Sequence, residues 1–146
     1  MHIRLICNAA GGLLPSLATE LKDVFGAVVL PSYGMTEQVQ TLYLNNTRLI
    51  HFFIRCMPIA TPLTDYQLNR PGCSGIVCGP SVSIRETHNL ERELPIGRIG
   101  AICVRGLPTF DGYELSPDIE VPLDRSSFSS EGWFDSGDVG YLDEDR

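Results

Sequence analysis

Two short apolar runs flanking a segment of helical period constrain this chain more than any other feature. Ile3 to Cys7 is a short, mostly apolar run, Ala9-Ala10-Gly11-Gly12 breaks it, and Pro15-Ser16 opens a stretch carrying Leu17, Leu21, Val24 and Phe25 on one helical face. Gly26 follows as a helix stop, because it enters the left-handed region at no steric cost. Ala27 to Leu30 is the second apolar run. Strand, helix and strand in this order predict two parallel strands joined by a right-handed crossover. Ligands of such sheets gather beyond the carboxyl ends of the strands. The Ala9 to Gly12 turn and the loop Tyr33-Gly34-Met35-Thr36-Glu37 would then share one edge.

After Cys56 the character changes. Pro58, Pro62, Pro71 and Gly72 mark loops, and short strands are expected at Gly75 to Cys78, Val82 to Arg85 and Gly97 to Arg105. Phe110 to Glu114 and Trp133 to Leu142 add β-prone, turn-rich pieces, so this half reads as a small barrel or sandwich. With 146 residues, 43% of them hydrophobic, the chain has material for one core and little for a second.

Charge and cysteine usage narrow the function classes. The net charge of −7 is local: Asp111 to Arg146 holds eleven acids and two bases, whereas the first 110 residues are close to balanced. Without a basic stripe the phosphate-neutralising contribution to nucleic-acid binding is missing. Cys7, Cys56, Cys73, Cys78 and Cys103 are odd in number and contain no C-x-x-C pair, which argues against a disulfide framework or a zinc site and for a reducing compartment. His2, His51 and His88 are too scattered to nominate a ligand set. Arg4 and Asn8 interrupt the only early apolar stretch, so no signal pattern is visible, and no run approaches the ~20 apolar residues of a membrane span.

Three constellations can carry chemistry. Tyr33-Gly34-Met35-Thr36-Glu37 follows a strand end and offers an aromatic face, a hydroxyl donor and a hard oxygen ligand for Mg²⁺. Gly132-Trp133-Phe134-Asp135-Ser136-Gly137-Asp138 presents a carboxylate beside a glycine, and a carboxylate so placed can accept from two vicinal ribose hydroxyls. Ile99-Gly100-Ala101-Ile102-Cys103-Val104-Arg105-Gly106 is a strand ending in Arg and Gly. Taken singly, each has an ordinary structural reading: a loop around a buried Tyr, one more exposed Asp in an acidic tail, and a barrel strand.

In this order the three resemble the motifs of the adenylate-forming superfamily, which includes acyl-CoA synthetases, coumarate-CoA ligases, luciferases and the adenylation domains of peptide synthetases. Tyr33 to Glu37 is similar to its Y-G-x-T-E motif, Gly100 to Gly106 to its G-E-[IL]-x-[IV]-x-G strand, and Trp133 to Asp138 to its [WY]-[FR]-x-T-G-D motif. Tyr141-Leu142-Asp143-Glu144-Asp145 resembles the segment before the family's hinge. Three positions depart from the pattern: Ala101 stands for Glu, Ser136 for Thr, and Asp135 at a site that is often basic.

The resemblance implies a fold and roles. The fold class is α/β: residues 1–62 would be the end of a parallel α/β subdomain with the adenine and metal loop, and 63–146 a small distorted β-barrel subdomain, together part of an AMP-binding domain. Tyr33 would stack on adenine beside Gly34, Thr36 would bond the α-phosphate, Glu37 would hold Mg²⁺, and Asp138 would grip the ribose hydroxyls. Ala10, Gly11 and Gly12 would lie against the other face of the adenine. Thr36 and Glu37 are the expected catalytic pair. The implied chemistry joins a small-molecule carboxylic acid to ATP, giving an acyl-adenylate and pyrophosphate, and passes the acyl group to a thiol of CoA or of a phosphopantetheine carrier domain. The family's phosphate loop is expected before Met1, and its hinge and catalytic Lys after Arg146, since the sole lysine, Lys22, sits on the expected helix. The chain alone is therefore expected to be inactive, in a parent of cytoplasmic or peroxisomal location. The competing reading is a non-catalytic remnant or interaction module that binds no nucleotide.

Gln38 to Arg55, eighteen residues, have no counterpart in the family pattern. Removing them joins Glu37 to Cys56-Met57-Pro58 and restores it. The segment is rich in Leu, Ile and Phe, contains no acid and has no bracketing cap or turn, which favours a short intron translated in frame over an extra element or a lid loop. Transcript sequencing across Glu37 and Cys56 is expected to show mature message without it; its presence there would refute this reading.

Overall fold

The computed structural model describes residues 2–9, 11–40, 54–55, 59–60, 73–77, 79–107, 109–115 and 122–144. Ala10, His51, Cys56, Cys78 and residues 41–53 of the segment without a family counterpart lie outside them.

The first unit forms as the sequence pattern demands. Strand β1 (Leu5–Asn8) pairs in parallel with β2 (Val28–Tyr33), and helix α1 (Pro15–Phe25) makes the crossover. Pro15 opens the helix and Gly26 ends it in the left-handed region, its N–H closing on the Lys22 carbonyl. Ala18 of the helix and Ala27, Val29 and Leu30 at and in β2 are buried, the successive Val29 and Leu30 on opposite faces of the strand. The expected inner face differs: Leu17, Val24 and Phe25 are exposed, Val24 by 68%. The helix rests on the sheet through the small Ala18, and no element among the described residues covers its apolar stripe.

Two short pairings extend this sheet, and a third forms a two-stranded sheet of its own. Strand β5 (Ile59–Ala60) adds antiparallel to β2, and β6 (Ile76–Val77) adds to β5, so the sheet is mixed, in the order β1-β2-β5-β6. Strands β3 (Val39–Gln40) and β4 (Ile54–Arg55) pair antiparallel with each other, bringing the two ends of the segment without a counterpart together.

The second sheet is antiparallel, in the order β10-β9-β7-β8, with β7 (Ser81–Glu86), β8 (Asn89–Glu93), β9 (Gly100–Arg105) and β10 (Phe134–Gly140). Among the described residues it is open, so the barrel expected over 63–146 is represented by this four-stranded sheet and by bridges between Tyr113 and Asp124 and between Phe128 and Phe134. Register explains why β9 alternates poorly: both its faces are covered. Val82 pairs with Val104, Ile84 with Ile102 and Phe134 with Val104, which makes one face apolar. On the other, Ser83 pairs with Cys103 and Arg85 with Ala101, and Trp133 packs over Ala101 and Cys103. The guanidinium carbons of Arg85 and Arg105 lie 4.5 and 4.3 Å from the centre of the Trp133 ring, a cation–π arrangement strengthened at Arg85 by burial. Ala101, where the family pattern has Glu, thus stands directly beside a buried arginine whose Nε has no hydrogen-bond partner.

Strand β8 escapes sequence reading because Asn89-Leu90-Glu91-Arg92-Glu93 is charged. It is the sheet edge, where charge blocks further pairing. Glu91 there accepts from Ser130 N and Oγ at 2.6 and 2.9 Å, bonds that hold its carboxyl below the ordinary value.

A Cβ at Gly100 would meet the Arg85 carbonyl oxygen and come within 2.6 Å of Leu94 Cδ1. Gly100→Ala is expected to destabilise the chain by about 1–3 kcal/mol in urea unfolding. Ile99→Ala, next door on an exposed residue, should stay within about 0.5 kcal/mol.

Candidate nucleotide site

The carboxyl ends of β1 and β2 face the apolar side of the second sheet across a cavity of about 980 Å³. Gly11 and Gly12 line it from the turn after β1, Tyr33 and Gly34 from the end of β2, and Asp138 from β10. Residues 105 positions apart in the chain, Tyr33 and Asp138, are bonded directly: the phenol donates to Asp138 Oδ2 at 2.6 Å. Ile84 and Ile102 supply the apolar floor.

Asp138 reaches Tyr33 because β10 bulges. Asp135 pairs with Cys103 and Val139 with Ala101, so Ser136, Gly137 and Asp138 together face the single residue Ile102. Ser136 repairs the broken ladder: its hydroxyl donates to the Ile102 carbonyl at 2.8 Å and accepts from Asp138 N–H at 3.2 Å. Gly137, at φ +78°, takes the turn that an L side chain would strain, and its N–H donates to Asp135 Oδ1. The Ser standing where the family pattern has Thr thus keeps the hydroxyl that this turn uses. At the end of β1, Ser32 Oγ donates to the Asn8 carbonyl at 2.8 Å, tying the turn that follows to β2.

Thr36 and Glu37 lie apart from the cavity lining. They begin a single 3₁₀ turn, Thr36–Gln38, with Thr36 exposed and Glu37 partly buried. This turn is anchored to the segment after β9: Phe110 N–H donates to the Glu37 carbonyl at 2.9 Å, Gln38 Nε2 to Thr109 Oγ1 at 2.8 Å, and Tyr113 OH to Glu37 Oε1 at 2.8 Å. Gln38, the first residue of the segment without a family counterpart, is fully buried. Sequence reading treated Phe110 to Glu114 only as a β-prone piece and missed Tyr113. The one signal was Gly112-Tyr113, a turn residue before an aromatic.

Both tyrosines hold their protons more firmly than usual. Burial, then the bond to Asp138, pushes the Tyr33 phenol well above its ordinary value; the bond to Glu37 raises that of Tyr113. Cys103, buried and next to Asp135, is pushed up to about 11, which makes it a poor nucleophile. No group of three or more His, Cys, Asp or Glu among the described residues could form a metal cage.

The folded state thus favours protonated Tyr33. Its contribution is complete below the unfolded pKa, near 10.0, and is lost as pH rises from there through the higher folded value. Unfolding free energy should therefore fall as pH rises above 10.0, and Tyr33→Phe should flatten that fall, leaving the part carried by Cys103 and Tyr113, whose values are also raised; an unchanged slope would show that Tyr33 does not carry it.

No family model matches the chain. It is 32% identical over 143 residues to a probable CoA ligase, CCL9, of Humulus lupulus, covering 98% of this chain and 23% of that protein. It is 29% identical over 143 residues to an oxalate–CoA ligase of Arabidopsis thaliana, with the same coverage. Among solved structures, ATP-bound MatB from Rhodopseudomonas palustris superposes with a TM-score of 0.69 at 30% identity, over 97% of this chain and 24% of that one. The chain spans about a quarter of the length of the relatives it matches. No helix among the described residues is long and apolar enough to cross a membrane.

Proposed function

This chain belongs to the adenylate-forming superfamily, and from that premise we propose that it is the nucleotide-facing part of an ATP-dependent ligase that activates a small-molecule carboxylic acid and passes the acyl group to the thiol of CoA or of a carrier domain. The observation that carries the reading is the cavity in which Gly11, Gly12, Tyr33, Gly34 and Asp138 meet. Glycines at the end of β1 let a flat ring approach the backbone, and Tyr33 offers the opposing aromatic face. In this reading Asp138 exchanges its bond to Tyr33 for the ribose hydroxyls, and Ala10, outside the described residues, keeps the adenine-facing role that the resemblance implies. Thr36, at the exposed start of the 3₁₀ turn, bonds the α-phosphate. The antiparallel sheet stands for the β-barrel subdomain of the family.

The donor set suits Mg²⁺. This ion takes one or two carboxylates and completes its shell with waters and substrate phosphates, so a single Glu37 without an all-protein cage fits. When bound it would neutralise charge on the phosphates. The chain's own residues orient the nucleotide, and Glu37 supplies the anionic oxygen. Free Cys7, Cys73 and Cys103 accord with a reducing, cytoplasmic or peroxisomal setting.

For Gln38 to Arg55 the reading of a translated intron gains support from pairing. Tyr33 and Ile59 are antiparallel partners; without the segment only Gly34 to Glu37 and Cys56 to Pro58 would connect them, close to the length of ordinary connections.

Calorimetric titration of the chain with Mg·ATP is expected to show binding, and Asp138→Ala is expected to weaken it about 10- to 100-fold, the loss of charge-assisted hydrogen bonds of about 1.5–3 kcal/mol. A flat titration with a folded chain would instead favour a non-catalytic remnant. Carboxylate-dependent pyrophosphate exchange is expected to be absent from the chain alone.

A further inference from the structure

The carboxylate of Glu37 is held by a neutral donor. Tyr113 OH occupies Oε1 at 2.8 Å, leaving Oε2 outside that bond. An arginine or lysine in the same place would cancel the charge that a cation needs, whereas a phenol fixes the carboxylate and leaves its charge intact. Among the described residues, no ion pair involves Glu37.

Tyr113 is itself fixed. Its N–H and carbonyl exchange hydrogen bonds with Asp124 at 2.9 and 2.8 Å. Its ring meets Phe110 edge-on at 4.7 Å, and Phe110 meets Phe134 edge-on at 5.0 Å. Phe134 opens β10, the strand that carries Asp138. Because Tyr113 remains 42% exposed, its hydroxyl adds little to folding. A glutamate loses rotamer freedom when it is held still. A carboxylate already held by Tyr113 has met part of that cost before any cation arrives.

We propose that Tyr113 is a positioning residue for divalent-cation binding at Glu37, orienting the carboxylate through Oε1 so that Oε2 is presented to the metal of a nucleotide complex. This rests on the reading of the Tyr33 to Glu37 loop as a nucleotide and metal site. Tyr113 touches neither nucleotide nor metal and acts only through Glu37.

The test titrates MgCl₂ into the chain with ATP and, separately, AMP into the metal-free chain. Tyr113→Phe is expected to raise the Mg²⁺ concentration for half-maximal ATP binding about 10-fold and to leave metal-free AMP affinity unchanged. Glu37→Gln should impair the Mg²⁺ response at least as much, and adding Tyr113→Phe to it should change nothing further. An Mg²⁺ response in Tyr113→Phe equal to that of the unmodified chain would overturn the proposal while leaving the nucleotide site standing. Equal weakening of AMP and Mg²⁺-dependent ATP binding would also overturn it, by making Tyr113 a general structural residue. Absence of ATP binding by the unmodified chain at every Mg²⁺ concentration would overturn both.

Discussion

Two hydrogen bonds of one kind join the halves of this chain at its site. In each, a tyrosine hydroxyl donates to a carboxylate across the boundary: Tyr33 of the first unit to Asp138 of the second, and Tyr113 of the second to Glu37 of the first. The donors and acceptors are exchanged between the halves, so neither half can move without straining one bond or the other. A phenol anchors an acid without bringing a second charge to it; burial, then the bond to Asp138, raises the pKa of Tyr33, and the bond to Glu37 raises that of Tyr113. Of the two, the Tyr33–Asp138 bond lies in the lining of the cavity, while the Tyr113–Glu37 bond lies outside it.

The second sheet has two faces with different tasks. Its apolar face, with Ile84 and Ile102, floors the cavity, while the opposite face is closed by Trp133 and its two arginines. The closing face fixes β9 against β7 and β10, and the bulge in β10 can then turn Asp138 away from the ladder without loss of register beyond Val139. Packing on one side of the sheet supports the cavity wall on the other.

Much of this was legible in the residues. Pro15 and Gly26 bracket the helix, and the parallel pair follows from the apolar runs on either side of it, because these are local signals with a direct conformational cause. Gly11, Gly12, Tyr33, Gly34 and Asp138 were nominated by motif and meet at one cavity. The failures have a common source in tertiary context. The stripe of Leu17, Val24 and Phe25 has helical period, but period does not reveal what covers a face. Strand β8 is charged because it is an edge, and edge status is a property of the sheet. Tyr113 acquires its partner, Glu37, from 76 residues away, through an aromatic packing that no local pattern encodes.

The ladder between Val39-Gln40 and Ile54-Arg55 makes the end of the site loop an insertion port. Chain that leaves and re-enters through neighbouring points can lengthen or shorten at small entropic cost, about 0.6 kcal/mol per doubling. Ahead of the port, Gln38 and Glu37 are already tied to Thr109, Phe110 and Tyr113. Variation in length here is therefore insulated from the 3₁₀ turn upstream, and a gene can change at this point while that turn keeps its anchors.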